Sequence, residues 1–216
     1  MSNPDSFIDE VTEEVRRDKL FALFRKYGWI GVVLVLLIVG GAAWTEWQKL
    51  SRQSAARAFG DALLAALDAP SPEERRAALE AVPATDEQVA LRNLLVASDP
   101  AENREGALAA LAAVAGDAAL PEVWRDLAAL RRVGLLGRDM PLAERRSALE
   151  PLAQPGRPYR PLAAEQLAYL LAEEGRTDEA VAALLPLTAD QEAPGGLRNR
   201  AAQMIVALGG EPPQQG

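Results

Sequence analysis

A stretch of 19 residues without a charged side chain, residues 27–45, constrains this chain more than any other feature. Its sequence is YGWIGVVLVLLIVGGAAWT, and nine of these residues, Ile30 and 32–39, are strongly apolar. A helix needs about 20 apolar residues to cross the hydrocarbon core of a bilayer. Nine such residues favour insertion by about 3–5 kcal/mol. A core helix of a soluble domain is the alternative, but such helices seldom run this long without a polar face. We therefore predict a transmembrane helix over residues 27–47.

Aromatic residues stand at both ends of this stretch. Tyr27 and Trp29 lie at its start, and Trp44 and Trp47 lie at its end. Tyrosine and tryptophan are enriched where a membrane meets water, because their rings are apolar and carry one polar group. We predict that these four side chains lie at the two membrane interfaces.

The basic residues that flank the stretch predict its orientation. Five precede it and three follow it: Arg16, Arg17, Lys19, Arg25 and Lys26, then Lys49, Arg52 and Arg57. Cytoplasmic flanks carry the excess of lysine and arginine. We therefore expect a single-pass protein of a bacterial inner membrane, with a cytoplasmic N-terminus and a periplasmic C-terminal domain. A cleaved signal peptide is the competing reading, because residues 41–43 are small, but the preceding arm is too long and too acidic for one.

The arm before the span, residues 1–26, is predicted to form an amphipathic helix. Apolar residues recur at near-helical spacing between Phe7 and Phe24, and acidic and basic residues occupy the other positions. Such a helix either lies on the cytoplasmic leaflet or docks a cytoplasmic protein partner. The pattern leaves both possibilities open.

Charge and composition exclude several classes of function. The net charge is −8, and the residues after position 26 carry 25 acidic against 18 basic side chains, which gives −7. An excess of acidic residues repels phosphate backbones and disfavours nucleic-acid binding. The chain has no histidine and no cysteine, so it lacks the commonest general base, thiol nucleophile and metal ligands. We predict no enzyme activity, no cofactor, no metal and no small-molecule substrate.

The chain beyond the span, residues 48–208, is predicted to be all-α. Alternating apolar and polar runs are missing, whereas Ala, Leu, Glu and Arg, which favour helix, are abundant. Proline and glycine interrupt the chain at short intervals, which predicts about eight or nine short helices. The last eight residues, 209–216, contain two prolines and two glutamines and are predicted to be a disordered tail.

Internal repetition predicts how these helices are arranged. Four segments align that begin with Ala-Leu at Ala78, Ala110, Ala148 and Ala183, with starts 32, 38 and 35 residues apart. Tetratricopeptide repeats have a period of about 34 residues. Each segment is expected to be the second helix of a hairpin, with the alanine allowing close approach and a leucine about four residues later filling the core. The fold class predicted for the whole chain is therefore all-α, a transmembrane helix followed by a tetratricopeptide-like α-solenoid of stacked helical hairpins.

Further residues match such a repeat. Trp124, Leu127 and Ala128 resemble the W-x-x-L-(G/A) start of a tetratricopeptide unit. Gly175 is expected to end the first helix of the last unit, where the backbone becomes left-handed. Trp124 and Tyr159 are expected to fill joints between hairpins in preference to binding a ligand.

The order of these parts resembles a known family, the ancillary subunits of the SecYEG translocon. These are single-pass inner-membrane proteins with a periplasmic tetratricopeptide-like domain. The resemblance covers nearly the full length and rests on the acidic arm and on residues 40–44, 124–128 and 194–201. It implies association with translocon subunits, periplasmic chaperones or exported client proteins.

A partner-binding groove follows from the predicted repeat. Tetratricopeptide stacks bind partners in a concave groove that the first helix of each pair lines. Repeat position then selects five residues: Arg125, Arg132, Glu165, Tyr169 and Glu173.

Three hypotheses of function follow, and the third is a cytoplasmic regulator with the reversed membrane topology. The first is a membrane-anchored, non-catalytic interaction module that holds or recruits exported chains beside the translocon. The second is a structural scaffold for an envelope machine, such as cell division or cell-wall synthesis. The first predicts binding of unfolded clients, whereas the second predicts placement at one cellular site without client binding.

Overall fold

The computed structural model describes residues 4–101 and 103–211, and the side chains of residues 4–24, 27, 28 and 32 lie outside that description. Helices account for 77% of the chain, and the described residues include no strand. The predicted all-helical class is therefore confirmed.

The described residues form nine α-helices. In chain order they are α1 (Pro4–Leu67), α2 (Pro72–Ala81), α3 (Glu87–Val96), α4 (Arg104–Gly116), α5 (Glu122–Leu136), α6 (Leu142–Leu149), α7 (Arg160–Glu173), α8 (Thr177–Leu184) and α9 (Gly195–Ala207). Short 3₁₀ turns follow three of them, at Gly137–Asp139, Glu150–Ala153 and Pro186–Thr188. The chain divides into two compact units, Met1–Ala58 and Phe59–Gly216, and we call the second one the helical domain. The predicted boundary between residues 47 and 48 falls inside α1.

The apolar stretch predicted to span a membrane lies within α1. This helix is unbroken at residues 48–53, and by length and composition it is long and apolar enough to cross a membrane. None of its most apolar window is buried, and Leu37 is 69% exposed. A core helix of a soluble protein buries its apolar residues, so this exposure disfavours that alternative.

The aromatic residues at the ends of the span are exposed as well. The side chains of Trp29, Trp44 and Trp47 are not covered by protein, and the rings of Trp44 and Trp47 lie 5.4 Å apart. Trp47 lies 18 positions after Trp29, which corresponds to about 27 Å along a helix. This length is close to the thickness of about 30 Å of a hydrocarbon core. The side chain of Tyr27 lies outside the described residues, as does the amphipathic pattern of the arm up to residue 24.

Residues with restricted or permissive backbones set the ends of the helices. Ser71 accepts a hydrogen bond from the backbone of Glu74, and Pro72 then occupies the first helical position of α2, where its missing N–H costs nothing. Gly175 has φ of 76°, and the N–H of Arg176 donates to the carbonyl of Leu171 at 3.0 Å. This left-handed closure of α7 confirms the role predicted for Gly175.

The C-terminal end of the helical domain extends past its predicted boundary at residue 208. Gly209 has φ of 82°, and the N–H of Gly210 donates to the carbonyl of Ile205 at 2.9 Å. A side chain at Gly210 would meet Val181 of α8 at 2.9 Å. Both glycines therefore belong to the packed structure, and the rest of the predicted tail, residues 212–216, lies outside the described residues.

The core is distributed in four clusters, each built from neighbouring helices. The central residues of the clusters include Leu79 between α1 and α2, Leu111 between α3 and α5, Leu149 between α5 and α7, and Leu184 between α7 and α9. These leucines are at most 2% exposed. Each is the second residue of an aligned Ala-Leu segment. The predicted core leucine about four residues after the alanine is confirmed at Leu152 and Leu187, which are 6% and 3% exposed, and the leucine next to each alanine is buried as well.

Replacing Leu111 by alanine tests the core that joins α3, α4 and α5. We expect a loss of about 2–5 kcal/mol in the free energy of unfolding, because buried methyl groups are removed and a cavity remains. Urea titration of the full chain in detergent, followed by far-ultraviolet circular dichroism, measures the loss. Leu64→Ala is the matched control, since Leu64 is 63% exposed. Equal losses in the two variants would contradict the core position of Leu111.

Candidate functional site

Polar contacts connect the odd-numbered helices of the helical domain in sequence. Trp124 of α5 donates from Nε1 to the Glu87 carboxylate of α3 at 3.3 Å, across 37 residues. Arg200 of α9 donates from Nη2 to the Glu165 carboxylate of α7 at 2.8 Å, across 35 residues. These spacings are close to those of the aligned segments. Trp124 also packs against the core cluster of α3–α5, as expected for a residue in a joint between hairpins.

A third contact connects α5 with the segment before α7, which the first two contacts leave unconnected. Arg157, in the segment before α7, binds the carboxylates of Glu122 and Asp126 on α5, across 35 and 31 residues. Asp126 is buried, and its burial raises the pKa of its carboxyl, an effect that the nearby charge of Arg125 partly offsets. Burial raises the pKa of Tyr159, and the Asp126 charge adds to this effect. This cluster was not predicted from the sequence, although the spacing of its charges is close to that of the aligned segments.

Two of the predicted groove residues on α7, Glu165 and Tyr169, take part in the contact with α9. Glu165 is only 1% exposed, and it also accepts a hydrogen bond from Arg200 Nε at 3.0 Å. The Tyr169 hydroxyl donates to the same carboxylate at 2.9 Å. Burial, together with this hydrogen bond, raises the pKa of Tyr169 to about 12. A buried carboxylate needs such partners, so Glu165 stabilises the fold and is not available to an external partner.

Glu173, the third predicted residue of α7, is bound by α6. Arg145 donates to both of its carboxylate oxygens, at 2.8 and 2.9 Å, and Arg138 lies 3.6 Å away. The hydrogen bonds from Arg145 are the main reason why the pKa of Glu173 is lowered. A forked pair of this kind is strong and directional. The side chain of Glu173 therefore links two helices.

The two predicted residues of α5, Arg125 and Arg132, remain without such bonds. Neither guanidinium makes a hydrogen bond or ion pair with any described residue. They are seven residues apart, so they lie on one face of α5, about 10 Å from each other. Sequence reasoning placed five residues in one groove. In the structure, the two predicted arginines of α5 bind no described carboxylate, whereas the three side chains of α7 form contacts within the domain.

The chemistry available at this surface is recognition of charge. Among the described residues, no group of three histidine, cysteine, aspartate or glutamate side chains is placed to hold a metal ion. The two free guanidinium groups each offer several N–H donors to a carboxylate. We call Arg125, Arg132 and the face of α5 that carries them the α5 surface.

Comparisons with known proteins find no match, whether to models of protein families, to curated proteins or to solved structures. The resemblance to ancillary translocon subunits therefore rests on the sequence features themselves.

Replacing Arg200 by alanine tests the buried contact between α7 and α9. We expect a loss of about 1–2 kcal/mol in the free energy of unfolding, because Glu165 is left buried without its cation. This value is at the low end for a charged pair, since the Arg200 side chain is 53% exposed. The measurement is urea denaturation of the full chain in detergent.

Two further variants serve as controls for this test. Arg138→Ala removes an arginine whose side chain is 86% exposed, and it is expected to leave the unfolding midpoint unchanged. Adding Glu165→Gln to Arg200→Ala is expected to recover part of the loss, because a neutral amide is less costly to bury than a carboxylate. If the second change destabilises the protein further, Glu165 is not the partner that Arg200 satisfies.

Proposed function

We propose that this protein is a membrane-anchored, non-catalytic module for protein–protein interaction. The observation that carries the proposal is the regular series of contacts along α3, α5, α7 and α9, in a chain that also has an exposed apolar helix. A row of helices joined in this way offers an extended surface to a partner. The absence of histidine and cysteine from the sequence supports a non-catalytic role.

The fold that we propose for the helical domain is a tetratricopeptide-like stack of hairpins. Three regularities support it: the buried leucine that recurs in α2, α4, α6 and α8, the polar contacts at spacings of 31–37 residues, and core clusters shared by neighbouring helices. In such a stack each repeat contacts mainly its neighbours, so the core has no single centre. In this arrangement the odd-numbered helices carry the binding face.

The partner that fits the α5 surface is an acidic segment of another protein. The chain carries an excess of carboxylates after residue 26, yet Arg125 and Arg132 have none bound to them. An external carboxylate therefore meets two unpaired cations without displacing an internal ion pair. The resemblance to translocon subunits supplies the candidates, which are the translocon itself, periplasmic chaperones and exported clients.

The location that we propose is the inner membrane of a bacterium, with the N-terminus in the cytoplasm and the helical domain in the periplasm. The five basic residues before the span and the three after it support this orientation.

Reporter fusions test the proposed orientation. A reporter enzyme that is active only outside the cytoplasm, fused after Gly216, is expected to be active, and the same reporter fused before Met1 is expected to be inactive. Changing Arg16, Arg17 and Lys19 to glutamine is expected to shift part of the population to the reverse orientation, because two basic residues then precede the span and three follow it. Activity of the N-terminal fusion alone would contradict the proposal.

Photo-crosslinking in living cells tests the interaction function. A photoreactive residue in place of Pro121, which is exposed one helical turn before Arg125, is expected to capture protein partners that mass spectrometry identifies. The double variant Arg125→Glu and Arg132→Glu is expected to reduce capture at least about tenfold, because it turns two attractive charges into repulsive ones. A second photoreactive residue at Leu37, within the apolar stretch, reports on membrane partners.

A charge reversal at another position provides the control for this experiment. Arg138→Glu changes net charge in the same direction at a highly exposed site, and it is expected to leave capture unchanged. Unchanged capture by the double variant would exclude the α5 surface. Capture of cell-division or cell-wall proteins only, with the protein concentrated at midcell, would favour the scaffold function instead.

A further inference from the structure

A cleft of about 280 Å³ lies in the helical domain between α2, the end of α3 and the turn that leads into α4. One wall is the face of α2 that presents Arg75, Arg76 and Leu79. Leu95 and Val96 of α3 form the opposite apolar wall. The size is just below the range for ligand pockets, about 300–1,000 Å³, so the cleft suits an anchor side chain and its neighbours.

Arg75 is the unusual group in this cleft. Its Nε is buried and has no hydrogen-bond partner, and its guanidinium forms no ion pair with any described residue. The neighbouring Arg76, by contrast, lies 3.5 Å from Glu80 on its own helix. A buried donor without an acceptor is rare in a folded protein. The two terminal nitrogens of Arg75 are accessible and also have no partner among the described residues, so they are the atoms that an acceptor from outside the chain can reach.

Two further groups provide hydrogen bonds to a peptide backbone. The oxygen of the Asn103 side chain accepts from the N–H of Gly106 at 2.9 Å, which leaves its amide N–H groups for another acceptor. The hydroxyl of Ser98 forms no hydrogen bond with the described residues. Both line the cleft beside its apolar wall.

We propose that this cleft binds an extended segment of another polypeptide that carries one acidic side chain two residues from an apolar side chain. Residues two apart in an extended segment lie on the same side, about 7 Å from each other. Arg75 and Leu79, one helical turn apart, match that separation. The carboxylate then binds Arg75, and the apolar side chain packs against Leu79 and Leu95.

The carboxylates at the edge of the cleft narrow the choice of partner. Glu73 and Asp99 line the cleft, and neither forms an ion pair with a described residue. They repel a segment with several acidic residues and favour one with a basic residue next to the acidic and apolar pair. The expected ligand is therefore of mixed charge, in contrast to the acidic partner proposed for the α5 surface.

Binding of a short labelled peptide to the full chain in detergent tests this proposal. The probe is a fluorescein-labelled peptide with blocked ends that contains Lys-Thr-Leu-Thr-Asp, and fluorescence anisotropy gives its Kd. We expect Arg75→Ala to weaken binding about tenfold, because a charge-assisted hydrogen bond is lost. Arg75→Lys is expected to have a smaller effect, since lysine keeps the positive charge but lacks the forked donor geometry of the guanidinium. Arg138→Ala, remote in sequence and highly exposed, is expected to leave Kd unchanged.

Changes in the peptide test the same contact without changing the protein. Replacing the peptide's Asp by Asn, or its Leu by Ser, is expected to weaken binding to the unmodified chain about tenfold. The Asn peptide is expected to bind Arg75→Ala as it binds the unmodified chain, because the two changes remove the same interaction. Equal binding of the Asp and Asn peptides would overturn the proposal, as would displacement of the labelled peptide by N-acetylaspartate at the same concentration as by unlabelled peptide.

The cleft and the α5 surface are tested independently. The double variant Arg125→Glu and Arg132→Glu is expected to bind this peptide with unchanged Kd, whereas Arg75→Ala is expected to retain capture at Pro121. Loss of peptide binding in the α5 double variant would show that the peptide occupies the α5 surface and would overturn the assignment to the cleft.

Discussion

Close contact between helices at buried alanines is the interaction on which the helical domain depends. Six helices each contain an alanine that is at most 1% exposed: Ala90, Ala107, Ala128, Ala168, Ala180 and Ala201. Because the side chain ends at Cβ, the neighbouring backbone approaches to a distance that a larger residue would prevent. The leucines then fill the space beside each contact. The recurring Ala and Leu of the sequence thus result from the packing of one helix on the next.

Arginine side chains connect the helices at places that apolar packing leaves unsatisfied. The last carbonyl groups of a helix lack intrahelical partners and lie at the negative end of its dipole. Arg92 donates to the carbonyl of Val82 after α2, Arg131 donates to those of Leu94 and Ala97 at the end of α3, and Arg104 donates to that of Leu135 in α5. One guanidinium can bind two acceptors at once, and the ammonium group of lysine is less suited to such a double contact. This use of arginine gives a structural reason for its excess over lysine, 20 to 3, in the sequence.

The local features of this fold were predictable from sequence, and the distant contacts were not. Proline, glycine and the spacing of Ala and Leu act within a few residues, so they located the helices, the buried leucines and the end of α7 at Gly175. Glu165 carries a carboxylate, a group that is usually exposed. Its burial depends on Arg200, which lies 35 residues later in α9. Glu173 likewise depends on Arg145. For this reason the predicted groove combined two half-buried arginines, which bind no carboxylate, with three side chains that hold helices together.

Arginines without a bound carboxylate or carbonyl group identify candidate binding surfaces in this domain better than the arrangement of its helices does. After residue 26 the chain has 25 acidic and 18 basic side chains, so carboxylates are not in short supply. Among the described arginines of the helical domain, all but Arg75, Arg125 and Arg132 form a hydrogen bond or an ion pair with the protein. The packing of the helices therefore leaves these three without a bound carboxylate, although acidic groups are abundant and the charge of Arg125 acts on the nearby Asp126. An external carboxylate gains most at those positions, because it neutralises a cation without breaking an existing bond. Since Arg75 lies on α2 and the other two lie on α5, the domain offers two such positions on different helices.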